Sequence, residues 1–535
     1  MYRQLIDPLG SPALSAALAA LPLVVLLVLL GVVRMKSHWA GLTGLATALV
    51  VAVAVYRMPV GQAADGAVEG AAFGLFPIVW IILNAVWINK IQRSSGHFDI
   101  IGRTFSTLSG DPRVQAILIA YCFGAMLESL SGFGTPIAIT SIMLIGIGFT
   151  PLKAAVVATF ANTAPAAFGS VGNPIQALAK VTSYSAHDLG SAVGRQSAVI
   201  AALVPFVLLL MLDGRRGLRE VWPAALTAAV GFSAGQFLCS NYFTYQLTDL
   251  AAGVVAIAAV IVLLRFWSPG RGVRASHPAT AAAGGEDRTP RIEALKAFSP
   301  YILLTALFAL TSFHSPVQRF VAGQDVSFSW PGLRVMGTTG DTLNVTTYDL
   351  GWLGAAGTIL LLTGALTALI LRVRLRSALR CYGQALHQIR WAAVTICCVL
   401  ALSYVMNLAG MAASLGTWLA GLGSAFALLS GFLGWFGVAL TGSDTSSNSL
   451  FGAMQVAAAH HIGASPLLMA ASNSTGGVQG KAVAMQNLTI AATAVGLPGK
   501  EGDILRKVIG WSLALLAVFC VLAWLQSTAL SWMVP

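Results

Sequence analysis

The apolar positions of this chain come in long unbroken runs rather than in alternating or helical-period stripes. Such runs occupy residues 12–33, 38–56, 68–89, 193–212, 221–240, 246–266, 298–313, 350–371, 391–408 and 507–531. Two more, 151–181 and 465–495, are longer and are broken by Gly, Pro, Asn and Thr. A helix needs ~20 apolar residues to cross a hydrocarbon core of ~30 Å, so the pattern predicts an all-α polytopic membrane protein with about twelve transmembrane helices.

Two regions do not fit as simple crossings. Stretches 114–130 and 135–148 flank the run ESLSGFGTP, which opens with Glu128, and stretches 425–440 and 448–459 flank TGSDTSSN, which holds Asp444. Arms of roughly 15 residues at a rise of 1.5 Å reach only ~22 Å. Each pair therefore predicts a re-entrant hairpin, with Gly132, Gly134 and Gly442 supplying the turning backbone at the tips.

The same signals also occur twice in the same order. Asn89 precedes Glu128 by 39 residues and Asn407 precedes Asp444 by 37. Each acid is followed by a Pro-Leu pair, Pro151-Leu152 and Pro466-Leu467, and then by a helix break. The breaks begin at Asn162 and at Asn473, the second containing Gly476 and Gly477. Counting crossings opens the first hairpin inward and the second outward, with spans 68–89 and 391–408 antiparallel, so the repeats are inverted. The boundaries expected are 1–213 for the first repeat, 214–297 for connecting helices and a flexible cytoplasmic linker, and 298–535 for the second repeat. Close packing of helices at small residues would also explain the glycines. It would not explain why acids, amides and hydroxyls gather at both breaks.

Composition agrees, with 57% hydrophobic and 9% charged residues against about 25% charged in soluble domains. The net charge of +12 reflects topology, because with an outside start most Lys and Arg fall in cytoplasmic segments. A nucleic-acid partner is thereby excluded. The six cysteines have no metal-ligand spacing, so neither disulfides, a metal nor a cofactor is expected. The first run is too long for a signal-peptide core and is read as a retained span. Residues 268–291 read as the linker, and 314–349 as the only sizeable outer loop, where VSFSW and LNVTTY alternate like short strands.

The chemistry is expected at membrane depth. Asp and Lys each cost roughly 2.5–3.5 kcal/mol at a helix centre in a bilayer, yet Lys481 and Asp444 stand in apolar settings 37 residues apart. Buried charges beside interrupted helices point to an ion site. Asn162, Thr163, Ser443, Asn473, Ser474 and Thr475 offer amides and hydroxyls there, although such groups also satisfy backbone freed at a break. Asn89 and Asn407 are placed to pin the repeats together, His460 and His461 to be solvated, and Arg195 and Glu69 to snorkel. An intramembrane hydrolase would need two apposed Asp or a Ser and His on facing spans, and a channel would be blocked by hairpins closing on a central site.

The runs GAMLESLSGFGTPIAIT, FANTAPAAFGSVGNPI, TGSDTSSNSLFGAMQ and NSTGGVQGKAVAMQN resemble the signature segments of the lactate permease family, bacterial importers of L-lactate and related 2-hydroxymonocarboxylates such as D-lactate and glycolate. The likeness covers nearly the whole chain. It implies a proton symporter of the bacterial inner membrane, not an enzyme, with repeats resembling those of dicarboxylate/sodium symporters. Its partners would be a monocarboxylate, protons and the lipid bilayer, with a homodimer admissible. Sodium coupling is the alternative. The chain departs from the family pattern at Ser129, Leu130 and Ser131 and at Met485.

Under that resemblance Lys481 is a candidate for the substrate carboxylate or, alternatively, for a structural salt bridge with Asp444. Glu128 and Asp444 are the candidate proton carriers. A lysine beside Asp444 would hold it ionised, which favours Glu128 as the proton site and Asp444 as a structural or gating acid, with the reverse still open.

Overall fold

The structure is a computed structural model and describes residues 2–106, 108–132, 134–268, 291–312, 316–337, 343, 346–423 and 425–535. It is built almost wholly of helices, and the protein is a multi-pass membrane protein. Among the described residues, eight helices are long and apolar enough to cross a membrane, or up to nine when the bent pair Pro151–Ala161 and Ala166–Thr182 counts as one. The exact figure of about twelve is not confirmed by this count, in which the long element Ala186–Tyr242 counts once. Thr135–Gly146, Ser299–Thr311, Ala356–Ile370, Met411–Leu422 and Ala425–Thr441 are apolar but of 10–17 residues, shorter than the ~20 of a typical crossing.

Two expected spans, 193–212 and 221–240, lie in one element, Ala186–Tyr242, whose backbone leaves helical geometry at Asp213 and Gly214. The kink is fixed by charge. Arg113, at the base of the first hairpin, is buried and reaches Asp111, Asp213 and Glu220, each at 2.8 Å. A guanidinium satisfied by three carboxylates can be buried where an unpaired one cannot.

Both hairpins form. Helix Pro112–Leu130, which includes a π-helical stretch, turns through 131–134 into Thr135–Gly146, and Ala425–Thr441 turns through Gly442 and Ser443 into Asp444–Ile462. Gly134 and Gly442 both sit at φ +76°, a left-handed turn that residues with a Cβ rarely adopt. The outgoing arms are exchanged between halves. Thr135–Gly146 packs on Met485–Ala494, and Asp444–Ile462 packs on Gly169–Thr182.

The first break lies where the sequence indicates, bending the chain by 63° after Ala161. The second does not begin at Asn473. Helix Pro466–Gly480 continues through Asn473, Gly476 and Gly477, and the interruption falls at 481–484. Its glycines serve packing instead. A Cβ on Gly476 would lie 2.2 Å from the Gly431 carbonyl oxygen, one on Gly480 2.3 Å from that of Trp435, and one on Gly434 1.9 Å from that of Asn473. Helix Pro466–Gly480 thus crosses Ala425–Thr441 at backbone contact, as small residues permit in membrane helices.

Outside the helices, Val326–Ser329 pairs antiparallel with Thr347–Leu350, and Tyr2–Arg3 pairs with Val335–Met336. The strand expected at VSFSW is present, whereas its partner lies at Thr347–Leu350, overlapping only the end of LNVTTY, of which residues 344 and 345 lie outside the described residues. The linker expected at 268–291 lies, apart from its ends, outside the described residues.

Candidate functional site

The two hairpin tips and the two breaks converge on one small cavity of about 40 Å³, lined by Glu128, Gly132, Ser170, Asn173, Asp444 and Lys481 among others. Glu128 occupies the last turn of helix Pro112–Leu130, which ends because Ser131 leaves helical geometry. Its carboxylate is wedged between two backbones. A Cβ on Gly169 would lie 2.6 Å, and one on Gly132 3.0 Å, from Glu128 Oε1.

The central contact joins the halves of the chain. Lys481 Nζ donates to Glu128 Oε1 at 2.5 Å, with side chains only 8% and 3% exposed. Asn162 Nδ2 donates to the other oxygen, Oε2, at 3.0 Å. The alternative of a Lys481–Asp444 salt bridge is therefore corrected, because the lysine's partner is the acid of the opposite hairpin. Asp444 is held by neutral donors, Ser474 Oγ at 2.6 Å and Asn448 Nδ2 at 3.3 Å on Oδ2, while Oδ1 has no hydrogen-bond partner among the described residues.

The break after Ala161 shapes the rest of the wall. Ser170, Val171 and Gly172 take φ values of +47°, +58° and +74°. Two successive non-glycine residues in the left-handed region cost of order 1–3 kcal/mol each, strain of a kind that clusters at functional sites. The turn lets Ser170 Oγ accept from the Gly132 N–H at 3.0 Å, tying the break to the first hairpin tip.

The other residues singled out from the sequence are divided by their contacts. Ser443 lines the cavity and caps its helix by accepting from the Ser446 N–H. Thr163 donates to Phe160 O in the last turn of the helix that precedes it. Asn473 donates to Asn448 Oδ1 and accepts from Gln455, so it binds its neighbours rather than the cavity. The Thr475 hydroxyl is buried without a hydrogen-bond partner among the described residues.

Two smaller expectations are corrected, those for Asn89 and Glu69. Asn89 accepts from Arg93 on its own helix and does not pin the repeats. A residue passed over in the sequence, Asn84, bridges to Gly357 O at 2.9 Å. Glu69 does not snorkel but is fully buried, and Arg195 bonds Asn241 and Met533 O. Sequence reasoning also missed Ser170, Asn173 and Asn448 as individuals, although all lie in the motif runs. It missed Asp249 altogether.

Across residues 15–530 the chain matches the family described as L-lactate permease. It is 38% identical over 563 residues to the L-lactate permease of Bacillus subtilis (strain 168), with 100% of each chain covered. Identity to the L-lactate permease of Escherichia coli (strain K12) is 36% over 553 residues, again with 100% of each chain covered. The glycolate permease GlcA of that organism is 35% identical over 548 residues, with 98% of each chain covered. Among solved structures, the Alcanivorax borkumensis YdaH transporter aligns with 85% of this chain and 86% of its own at a TM-score of 0.44 and 15% identity, too loose a likeness to argue from. The named relatives match from end to end, so this protein is a transporter and not an enzyme: the chain belongs to the L-lactate permease family.

Proposed function

We propose that this protein imports L-lactate, and also D-lactate and glycolate, across the bacterial inner membrane by proton symport. Relatives that carry the names lactate and glycolate permease support the substrate class. The observation that carries the mechanism is the buried Glu128–Lys481 pair in a cavity between the two halves.

That pair suggests how substrate and proton are counted together. A monocarboxylate entering the cavity competes with Glu128 for the Lys481 ammonium. A buried carboxylate stripped of its cation is costly, so the displaced Glu128 takes a proton, and the loaded site has the same net charge as the empty one. One lactate then carries one proton. The coupling matters because moving a monoanion inward against the membrane potential costs about 2.3 kcal/mol per 100 mV. A co-transported proton removes that opposition and adds the pH gradient as a drive. Asn162, beside Glu128, and Ser443, at a helix start, are suited to the substrate's 2-hydroxyl and carboxylate oxygens. Asp444, held by Ser474, is assigned a gating role.

The test is uptake into vesicles of purified protein under imposed gradients. Lactate should accumulate when the outside is acid, with or without sodium. Uptake that requires a sodium gradient and ignores pH would transfer the assignment to a sodium-coupled carboxylate symporter.

The same reading makes residues 1–213 and 298–535 inverted repeats with re-entrant hairpins, and the matched glycine turns and exchanged arms support it. Gly110 and His461 stand at the open ends of the two hairpins. Cysteines at these positions, in a chain freed of its six native cysteines, should react with an impermeant thiol reagent from the cytoplasmic and the outer side respectively. Labelling of both from one side would exclude the inverted arrangement.

A further inference from the structure

Asp249 has no part in the scheme above. It lies in the first turn of helix Thr248–Phe266, its side chain is wholly inaccessible, and neither carboxylate oxygen has a hydrogen-bond partner among the described residues. Acids in a first turn are ordinarily explained by the free backbone amides there, but Asp249 accepts from none of them.

Its packing gives it a direction. Gly253 lies one turn along the same face, and a Cβ there would be 2.7 Å from Met126 Cγ and 2.8 Å from the Cys122 carbonyl oxygen. The helix of Asp249 is thus pressed against the helix that carries Glu128, with Met126, close to Glu128 in the chain, at the contact. Thr244, Tyr245 and Gln246, just ahead of the helix, line a polar cavity together with His187 and Asp325. Asp325 belongs to the segment read as the outer loop. Tyr245 also packs on the first break, where a Cβ on Gly172 would come within 2.5 Å of its ring.

We propose that Asp249 is a proton relay between this outer cavity and Glu128, an inference that rests on Glu128 being the acid that takes the co-transported proton. When lactate occupies Lys481, the released Glu128 carboxylate receives the proton of Asp249, and Asp249 recovers one from the cavity. The sum is one proton taken from outside per lactate. Among the described residues, the titratable groups around this path are Cys239, Tyr245, Tyr121 and Cys122 on the packed elements, His187 and Asp325 at the cavity, and Glu128 and Lys481 themselves. Thiols and phenols ordinarily release protons only at alkaline pH, and His187 and Asp325 stand at the cavity, which leaves Asp249 as the acid placed between the cavity and Glu128.

A relay governs rate, whereas a coupling acid governs accumulation, and vesicle transport separates the two. Asp249→Asn keeps size and shape. It should slow the initial rate of proton-driven lactate uptake by about tenfold or more, most at alkaline outside pH, with the final accumulation and lactate exchange unchanged. Asp249→Glu should restore the rate. A parental rate in Asp249→Asn at every pH would overturn the relay, and so would an equal fall in exchange, which would mark a packing role. Glu128→Gln is measured alongside. Continued accumulation in that variant would overturn the coupling reading and the relay together, whereas lost accumulation there with a parental rate in Asp249→Asn overturns the relay alone.

Discussion

Glu128→Gln is expected to abolish lactate accumulation driven by a pH gradient while leaving lactate exchange measurable. Glutamine preserves the length of the side chain and an acceptor for Lys481 but cannot bind and release a proton. Net import then has no means of drawing on the gradient, and a chain that still cycles between its two faces exchanges lactate without net proton movement. Vesicles loaded with unlabelled lactate and diluted into labelled lactate read exchange. The same vesicles emptied and placed in an acid medium read accumulation. Equal loss of both would mean that Glu128 holds the fold or the substrate rather than the proton.

Lys481→Ala should depress binding and exchange together, because it removes the cation proposed to hold the substrate carboxylate. Loss of a charge-assisted hydrogen bond is worth about 1.5–3 kcal/mol, or roughly 10- to 100-fold in affinity. The single substitution also leaves Glu128 buried without its cation, which costs about 3–5 kcal/mol when one partner of a buried pair is removed. Stability and binding are therefore confounded in Lys481→Ala alone. In Lys481→Ala with Glu128→Gln both charges are gone, so thermal stability in detergent should recover most of that loss while lactate binding stays weak. Parental binding in the double variant would mean that Lys481 is retained only for its partner.

Much of the architecture was legible because bilayer physics leaves strong marks in a sequence. Apolar runs, tip glycines and the Asn-Thr-Ala-Pro break located the spans, both hairpins and the first interruption. The exact span count is less legible, since a 15-residue apolar stretch such as Ala356–Ile370 reads like part of a crossing until its helical limits are known. The second break was misplaced because Gly476 and Gly477 have the composition of a break, yet their lack of side chains serves a helix crossing, and nothing local distinguishes the two uses. Lys481, Glu128 and Asp444 stood out because charge is rare in apolar surroundings. Which acid the lysine meets could not be read, since Glu128 lies 353 residues away and the choice depends on how the halves face each other. Asp249 escaped notice for a different reason. An acid at the start of a helix near a span end looks solvated, and only its burial against the helix of Glu128 shows otherwise.

The seam between Ala425–Thr441 and Pro466–Gly480 limits how the site can open. Gly434 lies against the backbone of Asn473, Gly476 against that of Gly431 and Gly480 against that of Trp435, so at these three points the two helices meet backbone to backbone. Sliding one along the other would bring Cα and carbonyl atoms into collision, and close-packed contacts of this kind move as one piece. Lys481, at the end of one helix, and Asp444, just past the end of the other, are therefore expected to keep their mutual geometry in the proposed cycle. Glu128 stands on the first hairpin, outside this seam. The distance expected to change is the one between Glu128 and Lys481, so a pair of spin labels reporting across that gap should register the cycle, whereas a pair spanning Ala425–Thr441 and Pro466–Gly480 should stay still.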